Sequence, residues 1–275
     1  MATDPVVGNR AEIGVFGGSG LYRLLDDVEL IHIDTPYGSP SDDIAIGKVG
    51  ERNVAFMPRH GRNHTLAPAA INYRANVWAM HSIGVTRVIA PTAAGSLQPH
   101  VKPGEFVVCD QFVDRTSGRA DTYFDQGPKV VHISTAHPYC PVLRDLASRT
   151  ADDLGVTVHP RGTCVVIQGP RFSTRAESKW FSSNGWELVN MTQYPEVALA
   201  RELEMCYLNV ALITDYDSGL EGHPHVKPVS AETVRRIFAS NIASVRDLIL
   251  RLVPLIPSAR ECACATAMKG AVING

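Results

Sequence analysis

Short runs rich in β-branched residues alternate along this chain with stretches of helical spacing, a pattern that restricts the fold to a sheet with helices packed between and over its strands. EIGVFGG opens as a strand into glycines, and DIAIGKVGERNVAFMPR reads as a hairpin turning near Gly50. INYRANVWAMHSIG reads as a helix closed by Gly84 that feeds the strand TRVIAP and then a small-residue loop, TAAGS. EFVVCDQFV, GTCVVIQG, WELVNMT and YLNVALITD are further predicted strands, with helices expected near 141–154, 174–184 and 195–204. A last helix is predicted to begin at Ser230, whose hydroxyl can cap free amides, with Glu232 in the first turn where the helix dipole favours an anion. Val234, Ile237, Phe238, Ile242, Val245, Leu248, Ile249 and Leu252 follow at helical spacing and form its expected buried face.

With 275 residues, 45% of them hydrophobic, one large α/β domain can bury a substantial core, and no linker divides the chain. Residues 1–10 read as an N-terminal extension and 11–275 as the domain. The 26 basic residues against 28 acidic ones give no field for nucleic acid, so the expected ligand is small. No stretch approaches the roughly 18 apolar residues of a membrane span, and the start shows no leader, which predicts a soluble cytoplasmic protein. Six cysteines at these spacings make neither a small secreted framework nor a zinc ribbon. Buried free thiols are the plain reading for all six, with a redox or thermostabilising role for the Cys262-x-Cys264 pair as the alternative, and no metal site is read.

Several predicted strands end in groups suited to anions or to a polar ring. VALITDYDSGLEG ends an apolar strand on Asp215 and Asp217, two residues apart and so on one side of the extended chain. Two like charges there repel unless one is protonated or a ligand carries donors between them; the alternative is that they cap the following turn. FGGSG offers backbone amides and the Ser19 hydroxyl, or else a tight turn, but matches neither the dinucleotide fingerprint nor a P-loop. PRHGRNH places Arg59, His60, Arg62 and His64 after a strand: an oxyanion cradle, a solvated turn, or a histidine phosphatase motif with His60 as nucleophile. Thr92 and the Ala93 amide in PTAAGS, and Thr192 in NMT, complete the set. Such loops converge at one sheet edge in open α/β folds.

GGSGLY, RHGRNHT, NYRANVWAM, TAAGSL, PGEFVVCDQFVDRT, GPRFSTRAES, NMTQYPEVALARE and TDYD together resemble the 5'-methylthioadenosine phosphorylase branch of the purine nucleoside phosphorylase family, over roughly residues 11–255. The resemblance implies a single α/β domain with a mixed, partly barrel-like central sheet flanked by helices, assembled as a homotrimer. It implies phosphorolysis of a 5'-modified adenosine to adenine and the pentose 1-phosphate, with inorganic phosphate as co-substrate and no cofactor. Phosphate would meet Ser19, Arg59, His60, Thr92, Ala93 and Thr192. Met191 would lie under the ribose and Phe172 against the base, Asp215 would face purine N7, and Asp217 the 6-amino group. The 5' pocket would draw on His64, Val234 and Arg235, with His132 arriving from a neighbouring subunit.

The match loosens at VSAETVRR, where Arg235 stands at a position commonly leucine; a desolvated arginine there suits a polar or anionic 5' group, whereas one turned to solvent leaves the pocket apolar. His223 and His225 in GLEGHPHVKP read as a lid or rim, a metal pair being the weaker alternative. The tail CACATAMKG resembles that of relatives in which such cysteines can pair. A phosphorylase of 6-oxopurine nucleosides, which typically reads the base with asparagine at position 215, is the close rival, and a non-catalytic nucleoside-binding module a more distant one.

Overall fold

The computed structural model describes residues 10–17, 27–220, 223 and 225–274. Four strands, β1 (Ile13–Gly17), β2 (Glu29–Ile31), β3 (Ile44–Val49) and β4 (Arg52–Pro58), precede α1 (Tyr73–Ser82). Next come β5 (Arg87–Ser96), β6 (Phe106–Val108), β7 (Gln111–Arg115) and β8 (Lys129–Val131), followed by α2 (Pro141–Asp153). β9 (Val158–His159) and β10 (Thr163–Ile167) lead to α3 (Arg175–Ser183), and β11 (Leu188–Asn190) to α4 (Gln193–Glu202). The chain closes with β12 (Cys206–Asp215), α5 (Ala231–Leu255) and β13 (Val272–Asn274).

Among the described residues one mixed sheet of 11 strands runs through the domain, with β8 and β13 forming a separate pair. Its organising strand is β5. β12 runs parallel to it from Cys206 opposite Arg87 to Asp215 opposite Gly95. On its other edge β5 first meets β1 in parallel and then, at Gly95 and Ser96, β11 in antiparallel. The sheet therefore branches at β5, one arm continuing through β11, β10 and β7 and the other through β12, β6 and β9. The sheet is mixed, as expected, and helices flank it.

Alternation along β12 shows how the sequence builds layers. Cys206, Leu208, Val210 and Leu212 pack into the core under α2 and α5, while Tyr207, Ala211 and Ile213 join the core under α1 and α4. A third cluster, around Phe181 of α3, covers the other arm. Burying each large aliphatic side chain contributes about 1.5–3 kcal/mol, so these faces fix the strand register.

Most predicted elements are present. The hairpin turns at Gly50 (φ +58°), and Gly84 (φ +97°) closes α1. Ser230 caps α5, its hydroxyl accepting the Thr233 amide at 3.2 Å. Three expectations need correcting. TAAGS is no loop but the second half of β5, because its small residues let β12 and β11 press against it. EFVVCDQFV breaks at Cys109–Asp110, since β6 pairs with β12 and β7 with β10, and the chain must cross between arms. The α5 stripe is buried only from Val245 onward; Val234, Ile237, Phe238 and Ile242 are half-exposed in the single chain. All six cysteines are free, five of them buried. Among the described residues no helix is long and apolar enough to cross a membrane.

Candidate active site

β1, β4, β5 and β12 run parallel, so their C-terminal ends share one edge of the sheet, and β11, antiparallel to β5, starts at that edge beside Ser96 and runs back from it. There the pairing of β12 with β5 slips between Ile213 and Asp215. A bulge of this kind re-aims the side chains that follow it. Asp215 (8% exposed) and Asp217 (2%) consequently lie together below the surface, Asp217 in the left-handed region at φ +46°. Asp215 Oδ1 accepts the Asp217 amide and Oδ2 accepts the Thr214 hydroxyl, each at 2.7 Å. Burial nevertheless pushes the Asp215 carboxyl up from 3.8 to about 6, against the pull of those two bonds. Burial also raises Asp217, with the hydroxyls of Ser173 and Ser178 opposing it. Asp217 Oδ2 has no hydrogen-bond partner among the described residues. A buried carboxylate oxygen without a donor is costly, and a ligand amine would satisfy it.

Gly95 makes this arrangement possible. A Cβ there would lie 2.8 Å from Asp215 Oδ1 and 3.1 Å from the Asp217 amide. Gly95→Ala should therefore displace both acids and destabilise the fold by about 1–3 kcal/mol, as overpacking does. Thermal unfolding together with turnover measures both effects; an alanine variant with native activity would show that the acids need not sit so close to β5.

The second group of donors gathers around Thr92, which is buried in the middle of β5. Thr92 Oγ1 accepts from Asn190 Nδ2 at 3.3 Å and from Asn209 Nδ2 at 3.2 Å, which leaves its own proton to donate elsewhere. Asn209 Oδ1 in turn accepts Gln193 Nε2 at 2.9 Å. Thr192 precedes α4 at the N-cap position, yet its side chain makes no capping bond. Ala93 lies beside Thr92, half-buried.

Arg59 follows β4 and is 2% exposed. Its Nε and Nη2 bind the two Glu196 carboxylate oxygens at 2.7 and 2.9 Å, and further contacts reach the carbonyls of Pro91 and Phe16. Burial opposes the charge, and Glu196 more than offsets it, so Arg59 stays protonated. It is thus a buried, paired cation with one Nη1 N–H unassigned among the described residues, rather than the free fork its sequence context suggests. His60 Nδ1 lies 2.9 Å from the Leu66 carbonyl, which can only accept, so Nδ1 carries the proton. Burial drives its imidazole down to about 4, the carbonyl bond resisting and Arg59 assisting, and the ring is neutral at physiological pH. His64 stacks on it at 4.4 Å between centroids and is exposed, and Arg62 is engaged with Asp42.

Met191 follows β11 between the acids' edge and Thr192; its sulfur packs against Gly169, whose added Cβ would lie 2.6 Å away. Phe172 is 37% exposed on the neighbouring loop, which is anchored where the Ser218 hydroxyl donates to the Ser173 carbonyl. Val234 is half-buried and Arg235 exposed at the start of α5, a segment tied to the acids by the Val229 amide donating to Asp217 O at 2.7 Å. His132 is exposed, its amide bound to Ala271 O. Ser19 lies outside the described residues, as do parts of GLEGHPHVKP.

Sequence reasoning missed Glu196, Asn190, Asn209 and Arg119. Arg119 binds the carbonyls of Met191 at 3.0 Å and Gln168 at 2.9 Å, joining the two loops that carry Met191 and Phe172. One signal was available: Asn209 is a polar residue inside the otherwise apolar run YLNVALI.

The family model described as the phosphorylase superfamily matches residues 12–254. An S-methyl-5'-thioadenosine phosphorylase from Mycolicibacterium smegmatis is 51% identical over 251 residues, covering 91% of this chain and 93% of its own. A purine nucleoside phosphorylase from Streptomyces coelicolor is 49% identical over 270 residues, 95% of each chain. Among solved structures, a mutant adenosine/methylthioadenosine phosphorylase from Schistosoma mansoni in complex with methylthioadenosine superposes with a TM-score of 0.87 at 35% identity, covering 95% of this chain and 96% of its own.

Proposed function

Since this chain belongs to the phosphorylase superfamily, we propose that it is a pentosyltransferase that cleaves 5'-methylthioadenosine with phosphate to give adenine and the methylthiopentose 1-phosphate. The observation that carries this reading is the buried acid pair: one carboxyl raised to about 6 beside another whose Oδ2 lacks a donor among the described residues. Adenine fits both, offering an acceptor at N7 to the protonated Asp215 and an amine at C6 to the ionised Asp217. A 6-oxopurine presents an oxygen where Asp217 needs a donor, which disfavours the rival base.

Phosphate attacks C1' of the pentose as the C1'–N9 bond breaks, and the electron pair of that bond leaves with the purine. Asp215 stabilises the departing base by a hydrogen bond or proton at N7. The phosphate end comprises the Thr92 and Thr192 hydroxyls, the Ala93 amide, the remaining Arg59 N–H and neutral His60, whose Nε2 accepts from a protonated phosphate oxygen; Ser19 is assigned there by resemblance. Preorganised donors around the anion supply most of the catalysis, through position and charge. Met191 supports the ribose and Phe172 covers the base. With Arg235 exposed, the charge at the start of α5 does not oppose a thioether in the 5' pocket. His64 and Val234 line that pocket, and His132 completes it from a neighbouring subunit of a homotrimer. The exposure of Val130 at 54% on the strand beside His132 suits a covered subunit surface.

Adenine release measured with and without phosphate, over a panel of 5'-substituted adenosines, tests the proposal. Phosphate-dependent release fastest with the methylthio substituent is expected; equal release without phosphate would make the protein a hydrolase. The pH dependence follows from the raised acid. Because Asp215 must carry a proton, kcat/KM should decline as pH rises through about 6 in the free enzyme. Stability has the same sign: the neutral acid's contribution is complete below 3.8 and is lost as pH rises through about 6. A kcat/KM profile without that alkaline limb would show that Asp215 acts without its proton.

A further inference from the structure

We propose that Cys140, Cys206, Cys262 and Cys264 form a tetrathiolate site that takes a single Zn²⁺ ion and holds the C-terminal tail to the domain. The four sulfurs lie within 4.8 Å of one another. Cys262 Sγ is 3.7 Å from Cys140 Sγ and 3.3 Å from Cys206 Sγ. A tetrahedral zinc with Zn–S bonds of about 2.3 Å places its sulfurs roughly 3.8 Å apart. The two Cys262 separations lie near that spacing, and both exceed the roughly 2.05 Å of a disulfide bond. All four thiols are free, and three of the four are buried.

The ligands come from three segments that the fold alone brings together. Cys140 is the residue before α2, where the helix dipole favours a thiolate, and its amide donates to Tyr207 O at 2.9 Å. Cys206 opens β12. Cys262 and Cys264 sit in the turn beyond α5, which Arg87 steadies by binding the Pro257 and Ser258 carbonyls and Arg260 by binding Glu204 O. Only the Cys-x-Cys pair is local in sequence, which is why no zinc spacing is legible there.

Four thiolates occupy every position of a tetrahedral ion and leave none for substrate, so the site is structural. Its place agrees: Cys206 and Asp215 are the two ends of β12, roughly 30 Å apart at about 3.3 Å per residue. Sulfurs this close enclose one ion, and all-thiolate coordination favours zinc over harder cations. Binding converts four thiols to thiolates and releases up to four protons, leaving the site with a net charge of −2.

The full chain, purified under reducing conditions, should carry one zinc per chain by elemental analysis. Titration with a mercurial should release the metal as it caps the four liganding thiolates. The stripped, reduced chain should bind Co²⁺ with the intense visible absorption and sulfur-to-metal charge transfer of a tetrahedral thiolate site, displaced by Zn²⁺. Cys262→Ser combined with Cys264→Ser should reduce metal content from one ion to none and abolish the cobalt spectrum; if that variant does not fold, reconstitution of the unmodified chain decides alone. A reduced chain that binds neither Zn²⁺ nor Co²⁺ would overturn the proposal. Disulfides among these cysteines in protein prepared without air would overturn it equally.

Discussion

Asp215→Asn should lower kcat on 5'-methylthioadenosine by about 100- to 10,000-fold, the range that a positioned acid contributes. The side chains have nearly the same shape, and Asp215 accepts the Asp217 amide and the Thr214 hydroxyl through oxygens, one of which the amide retains. The loss is therefore expected in turnover, with little change in thermal stability. An amide donates a hydrogen bond but yields no proton to the departing base, so the affected step is bond cleavage. The same change should improve relative activity on 6-oxopurine nucleosides, because asparagine accepts from a protonated N7 and donates toward O6. Steady-state kinetics on both substrate classes read this directly, and unchanged kinetics on the adenosine substrate would contradict the role assigned to Asp215.

Glu196→Ala should cost about 3–5 kcal/mol of stability, because it strands the fully buried Arg59 charge. Glu196 Oε1 also accepts the Tyr207 hydroxyl at 2.7 Å, so the truncation breaks a second buried bond. Glu196→Gln keeps the volume and part of the hydrogen bonding while removing the charge, and should fall between alanine and the parent. Both variants should raise KM for phosphate, since the Arg59 N–H offered to the anion is positioned by its partner. Denaturant unfolding with phosphate kinetics separates the two consequences. Full stability in the alanine variant would mean that Arg59 finds another partner or leaves the interior.

What was legible in the sequence follows from what is local. Runs rich in β-branched residues marked the strands, and Ser230 with Glu232 marked the start of α5, because caps and strand preference depend on neighbours along the chain. The loci of the candidate site were legible as strand ends carrying acids or donors. The orientation of Arg59 was not, since the partner that holds it, Glu196, lies 137 residues away. The reach of β5 through TAAGS was hidden for a related reason: small residues signal a turn in isolation, and only the approach of Asp215 to Gly95 shows why they form a strand here. The half-exposed start of α5 reflects the same limit, because periodicity marks a face as apolar without naming what covers it. The cysteine cluster needed three distant segments to meet before it existed at all.

The most direct test of the account is the protonation state of Asp215 with a purine bound. Isotope-edited infrared difference spectra of the complex with adenine and phosphate at neutral pH should contain the carbonyl stretch of one protonated carboxyl that is missing from Asp215→Asn. A complex in which that band is absent, or in which it persists unchanged in the variant, would contradict the claim that Asp215 holds its proton against N7.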